Sequence, residues 1–194
     1  MKAPAVDPAF ARAYLAKHGK RIQLSAEQRE RQERGESAEE FVADLHDACL
    51  AQGIAFVRKL PTPLRVCGTA SGGKVLAFFE KKSGVDYVGH MLDGSGRAVF
   101  CEVKAQKQPG RFPLSQVKEH QREELTRAGI AGAVAVLVIV LGEGRDLTAY
   151  AVPWGDVFMW IEAGAKSLTP AQLTPYRLRP GEAYLARFAQ MEGS

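Results

Sequence analysis

Cysteine and histidine are scarce in this chain: Cys49, Cys67 and Cys101, and four histidines, among 194 residues. The cysteines are odd in number and lie far apart, with no CxxC pair. That excludes a disulfide framework and a cysteine zinc site, and it predicts a reducing cytoplasm. The histidines His18, His46, His90 and His120 form no HxxxH pair. No run approaches the roughly 20 apolar residues of a membrane span. The longest apolar stretch, Ala133 to Leu141, is strand-length, so no membrane partner is expected. No compact apolar segment with a cleavage site follows the first residue, so no secretory leader is expected.

What is present suits one domain, or one with a modest appendage: 46% apolar and 25% charged residues. The net charge is only +4, but it is unevenly spread. Residues 1–35 carry eight Lys/Arg against four acids; residues 36–57 carry five acids and no Lys or Arg. Residues 58–111 carry ten Lys/Arg against four acids, and residues 112–194 eight against nine. A basic middle beside an acidic segment fits either a surface for a polyanion or unevenly solvated charge.

Residues 1–34 read as a basic N-terminal arm or extra helix, and 35–194 as the main domain. Ser37 and Glu40 form a capping-box pattern. Phe41, Val42, Leu45, Ala48 and Cys49 then recur at helical spacing, and Gly53 ends the helix. Strands are expected at Ile54–Lys59, Leu64–Cys67, Val75–Glu80, Val85–Leu92 and Ala98–Lys104. Leu114–Ala128 reads as a helix capped by Ser115 and stopped by Gly129. The branched aliphatic run Ala133–Leu141 predicts a strand buried on both faces. A strand at Leu147–Val152 and helices at Val157–Ala163 and Glu182–Met191 complete the reading. This order predicts an α/β fold with a mixed central sheet flanked by helices.

The chemistry is carried by ValAspTyr at 85–87 and GluValLys at 102–104, on the two arms of a predicted hairpin. Alternation puts Glu102 and Lys104 on one face, and the hairpin can bring Asp86 close to them. Alone, an ExK on a strand is a surface salt bridge. Here Val99, Phe100, Cys101 and Val103 surround it, and charge in a half-buried setting needs a partner. Asp86, Glu102 and the carbonyl of Val103 suit Mg²⁺, a hard cation that keeps several waters. Lys104 is placed to orient a water or to stabilise a pentavalent transition state.

This pattern resembles the PD-(D/E)xK nuclease superfamily. A closer resemblance rests on residues 35–60 (GESAEEFVADLHDACLAQGIAFVRKL), ProThrPro at 61–63 and AspTyrValGly at 86–89. It continues through PheProLeu at 112–114, HisGln at 120–121 and ValPheMetTrp at 157–160. In this order the segments resemble the RecU family of Holliday junction resolvases. The resemblance implies a restriction-endonuclease-like fold with a protruding stalk, here about residues 66–82. It implies Mg²⁺, with Mn²⁺ as a substitute, and a homodimer cutting two strands of a four-way junction.

Residue by residue, the resemblance implies Asp86 and Glu102 as metal ligands, Lys104 as the catalytic lysine, and one acid from the opening helix. Glu39 is chosen over Glu40, which the capping box already explains. Gln121 would face the site from the helix behind, or equally lie exposed. Arg58, Lys59 and Arg65 beside ProThrPro are candidate phosphate contacts, with Thr62 adding a hydroxyl donor. Lys74, Lys81 and Lys82 keep the stalk basic, and Lys107 and Arg111 flank the ExK strand. Phe78, Phe79 and Leu76 read as packing within the stalk or against the dimer partner rather than as stacking on bases, and Trp154 and Trp160 as core or dimer interface rather than DNA contacts. One departure is Val85, where the family often has a hydroxyl residue. The alternatives left open are a nuclease for other branched or linear DNA, and a non-catalytic DNA-binding recombination accessory protein.

Overall fold

The computed structural model describes residues 38–61, 64–69, 75–79, 84–142 and 146–189. Thr62, Lys74, Lys81 and Lys82, the side chain of Arg65, the stalk aromatics and the arm 1–34 lie outside the described residues.

Helix α1 (Ala38–Ala51) is followed by β1 (Ala55–Lys59). Among the described residues, strands β2 (Leu64–Thr69) and β3 (Val75–Phe79) pair only with each other, antiparallel, with a register shift between Val66 and Gly68. Next come β4 (Tyr87–Met91), β5 (Ala98–Gln106) and β6 (Phe112–Pro113). A 3₁₀ turn (Leu114–Gln116) then leads to α2 (Glu119–Ile130). Strands β7 (Val134–Leu141) and β8 (Thr148–Pro153) and helix α3 (Trp154–Glu162) follow. The last described elements are β9 (Ser167–Leu168), α4 (Pro170–Leu173), a 3₁₀ turn (Thr174–Tyr176) and α5 (Ala186–Ala189). Among the described residues, no helix is long and apolar enough to cross a membrane.

The central sheet has five strands in the order β1-β4-β5-β7-β8. Only β5 and β7 run parallel, because α2 carries the chain back between them. Every residue of β7 is buried, which is why its sequence is unbroken Val, Ala, Leu and Ile. Two cores lie on opposite faces. On one, Phe41, Val42, Leu45 and Cys49 of α1 meet Val99, Cys101, Val136 and Val138. On the other, Leu125 and Ala128 of α2 and Val157 of α3 meet Leu137 and Ile139. The expected mixed sheet flanked by helices is therefore present.

Several expected boundaries move. Ser115 does not cap α2. Phe112 and Pro113 pair with Leu168 and Ser167, and Leu114 N donates to Lys166 O at 3.0 Å. These bonds hold the chain extended and then in a 3₁₀ turn, so α2 starts at Glu119 with Lys118 in extended geometry before it. Gly129 does not stop the helix either. The chain turns at Gly132, whose φ of 81° is open to glycine at low cost. Helix α3 begins earlier than expected, at Trp154, whose indole Nε1 donates to Thr126 Oγ1 at 2.8 Å. The C-terminal helix is only α5 within the described residues. Glu182 is spent on a turn, accepting from Arg179 N at 2.9 Å and from Arg187 Nε at 2.7 Å.

Candidate active site

Antiparallel pairing sets Tyr87 opposite Cys101, so Asp86, one residue before β4, lies across from Glu102. Val103 N donates to Asp86 Oδ2 at 2.9 Å. The N–H and C=O of one residue in a strand point to the same side, so the Val103 carbonyl faces the edge where Asp86 sits.

Glu102 has no exposed surface. Its Oε1 accepts from Lys104 Nζ and from Gln121 Nε2, both at 2.5 Å. Among the described residues its Oε2 is buried with no hydrogen-bond partner. Burial pushes the carboxyl up to about 7; the Lys104 hydrogen bond opposes this, and the neighbouring charge of Asp86 adds to it. Lys104 sits two residues on, on the same face, with 18% of its side chain exposed. Gln121 is buried on the inner side of α2, and its Oε1 accepts from Lys118 N at 3.0 Å, so both ends of the amide are engaged.

These residues fit a divalent cation. A bare, buried carboxylate oxygen beside a second carboxylate costs free energy that a hard cation offsets. Two side-chain carboxylates and one carbonyl leave room for the waters and phosphate oxygens that Mg²⁺ retains. Among the described residues, no group of three or more His, Cys, Asp or Glu comes close enough to form a complete protein cage.

Glu39 is not brought to this pair. Helix α1 packs on the Cys101 face of the sheet, whereas the Glu102 side chain points to the α2 face. Glu39 instead forms an ion pair with Lys59 at the end of β1, both side chains more than half exposed. Lys59 lies opposite Tyr87, so this pair stands at the same end of the sheet as Asp86. The Glu39 carboxylate raises the Lys59 ammonium above its ordinary range, chiefly through their hydrogen bond. Glu40 is exposed as well. Arg58, Lys107 and Arg111 are exposed, the last two on the loop between β5 and β6.

Two supports escaped sequence reading. Arg122 Nε donates to Val117 O at 2.8 Å and its Nη2 to Leu114 O at 2.5 Å, tying the 3₁₀ turn to the first turn of α2. Sequence shows only one more polar residue in a polar helix. Beneath the site, His46 is buried, its Nε2 3.0 Å from Tyr184 Oη, and its ring packs 4.6 Å from that of Tyr87. Tyr184 Oη also lies 3.7 Å from Cys101 Sγ. Tyr87 and Cys101 are the chain neighbours of Asp86 and Glu102, so this buried cluster braces both carboxylates from the opposite face. Helical spacing marks His46 as inward-facing, but nothing local shows its partner, 138 residues away.

The Holliday junction resolvase RecU of Streptococcus gordonii is 25% identical over 140 residues, covering 70% of this chain and 68% of its own. That of Bacillus pumilus is 29% identical over 149 residues, covering 72% and 69%. The structure of Hjc, a Holliday junction resolvase from Archaeoglobus fulgidus, aligns with a TM-score of 0.43 and 16% identity, over 80% of this chain and 98% of that one. The family described as "RecU: Recombination protein U" matches residues 33–180, well over half of the sequence, and the chain therefore belongs to that family.

Proposed function

We propose that this chain is a structure-selective endodeoxyribonuclease that resolves four-way DNA junctions during recombination and repair. Mg²⁺ is its metal, and Mn²⁺ substitutes. The observation that carries this reading is Glu102: fully buried, held on one oxygen by Lys104 and Gln121, and bare on the other beside Asp86. Its relatives' names as junction resolvases supply the substrate class.

Bound there, a divalent cation would supply charge neutralisation at the scissile phosphate and lower the pKa of water. Asp86, Glu102 and the Val103 carbonyl would hold it. Gln121 and Lys104 fix the Glu102 carboxylate by occupying Oε1, so the ligand oxygen needs no reorganisation. Lys104 Nζ donates to Glu102 Oε1 and has further N–H donors for a phosphate oxygen. Glu39 of α1 stands at the same end of the sheet, paired with Lys59 and outside the Asp86–Glu102 pair. Arg58, Lys59, Lys107 and Arg111 hold neighbouring phosphates, and the β2–β3 hairpin enters the open centre of the junction. Two copies related by a two-fold axis would cut two strands symmetrically. Cys49 and Cys101, both free and buried, suit a cytoplasmic protein.

The test is one gel comparing a four-way junction, linear duplex and flap, each with Mg²⁺ or with EDTA. Symmetric nicks in the junction, seen only with Mg²⁺, support the reading. Cleavage of flap and duplex at the same rate would make the protein a nuclease of other specificity. Binding without cleavage under any divalent metal would make it an accessory protein.

A further inference from the structure

The last residue of β5, Gln106, has a side chain whose polar atoms are all engaged. Its Nε2 donates to Gln108 O at 2.8 Å and to Arg111 O at 3.3 Å. Its Oε1 accepts from Gln116 Nε2 at 3.0 Å. One amide thus closes the loop 107–111 on itself and ties it to the 3₁₀ turn ahead of α2. The backbone beneath is anchored, because Gln106 pairs with Leu141 and its carbonyl accepts from Gly142 N at 2.9 Å. The loop is exposed from Lys107 to Pro109, so little apolar burial holds its shape. It reverses at Gly110, whose φ is 121°, a conformation that favours glycine. Gln106 shares a face with Glu102 and Lys104, so the loop it closes stands at the mouth of the site.

We propose that Gln106 is a positioning residue, whose amide sets the Lys107–Arg111 loop so that both cations meet phosphates of the strand to be cut. This rests on the nuclease reading for the identity of the strand. The benefit is preorganisation: two long cationic side chains on a fixed turn lose less freedom on binding than the same chains on a loose one. Gln116 is the second half of the device, since its amide is the donor that orients Gln106.

The experiment measures junction affinity in EDTA, so that it does not depend on cleavage. Gln106→Leu and Gln116→Leu are each compared with the full-length protein, and Gln106→Leu is repeated in a Lys107→Ala/Arg111→Ala background. Each single variant is expected to weaken binding about three- to tenfold. In the background lacking both cations, Gln106→Leu should add less than about twofold, because the clamp then has nothing to position. Equal weakening in both backgrounds, or no weakening by either Leu variant, overturns the proposal. Should Gln106→Leu fail to fold, Gln116→Leu is carried through the same cycle and decides it. Where wild-type protein cuts no branched DNA, the resolvase reading fails while this binding cycle still gives its answer.

Discussion

Gln121 Nε2 lies 2.5 Å from Glu102 Oε1, and this contact decides which oxygen of the carboxylate is left bare. With Lys104 on the same oxygen, Glu102 has one satisfied side and one unsatisfied side, the latter without a partner. Replacing Gln121 by Leu removes the donor from the helix side and lets the carboxylate rotate. The expected result is a drop in cleavage rate of about tenfold or more with junction binding kept. Single-turnover cleavage and metal-free binding, measured side by side, check it. Unchanged cleavage in a folded variant would show that Lys104 alone orients Glu102.

Asp86→Asn and Glu102→Gln are each expected to abolish cleavage and preserve junction binding. In the proposed mechanism the carboxylates would hold the cation, whereas DNA affinity would come mainly from Lys and Arg on the phosphates. Binding is expected to tighten slightly, because negative charge beside phosphate is removed. A binding curve and a cleavage gel on the same protein preparation measure both; full cleavage by either variant would refute the metal assignment.

Glu102 also makes a prediction about pH. Its carboxyl is raised from 4.5 to about 7 in the folded chain, mainly by burial. A raised acid favours the folded state when protonated. That contribution is complete below about pH 4.5 and is lost as pH rises through 7. Without metal, Glu102→Gln should therefore gain stability relative to wild type between pH 5 and 8, by up to about 3 kcal/mol. His46 works in the opposite sense. Burial lowers it from 6.5 to about 4, so its contribution is present above 6.5 and lost as pH falls through 4. It is common to both proteins and cancels in the difference. Urea unfolding in EDTA at several pH values gives this difference directly; a constant offset would contradict the buried ionisation.

Strands β2 and β3 form a sheet of their own, apart from the five-stranded sheet that holds Glu102 and sets Asp86 beside it. Replacing residues 68–80 with a short turn should therefore leave Asp86, Glu102 and Lys104 assembled. Junction binding should weaken far more than duplex binding, and its salt dependence should flatten as phosphate contacts vanish. Competition of labelled junction against unlabelled duplex across a salt series is the measurement. Unchanged junction preference in the folded deletion protein would move selectivity to the spacing of the two sites in a dimer.

By itself, the sequence determined whatever depends on neighbours along the chain. Phe41, Val42, Leu45 and Cys49 recur at helical spacing, so one face of α1 had to be buried, and it is. The aliphatic run of β7 is legible because a strand covered on both faces has no polar side. Alternation put Glu102 and Lys104 on one face, and the hairpin between Val85–Leu92 and Ala98–Lys104 made Asp86 their neighbour. Only the tertiary structure decided the rest. Gln121 could equally have faced water until α2 packed across β5 and β7. Glu39 is spaced at helical intervals from the buried Val42 and His46, yet α1 sits on the face opposite the Glu102 side chain, and Lys59 pairs with it. Ser115 looks like a cap until β6 pairs with a strand some 55 residues later and holds the chain extended. The Gln106–Gln116 pair joins two segments that neither periodicity nor turn chemistry relates. Periodicity says which side chains share a face; which partner meets that face depends on strand order and helix placement, and those are set by burying two cores at once.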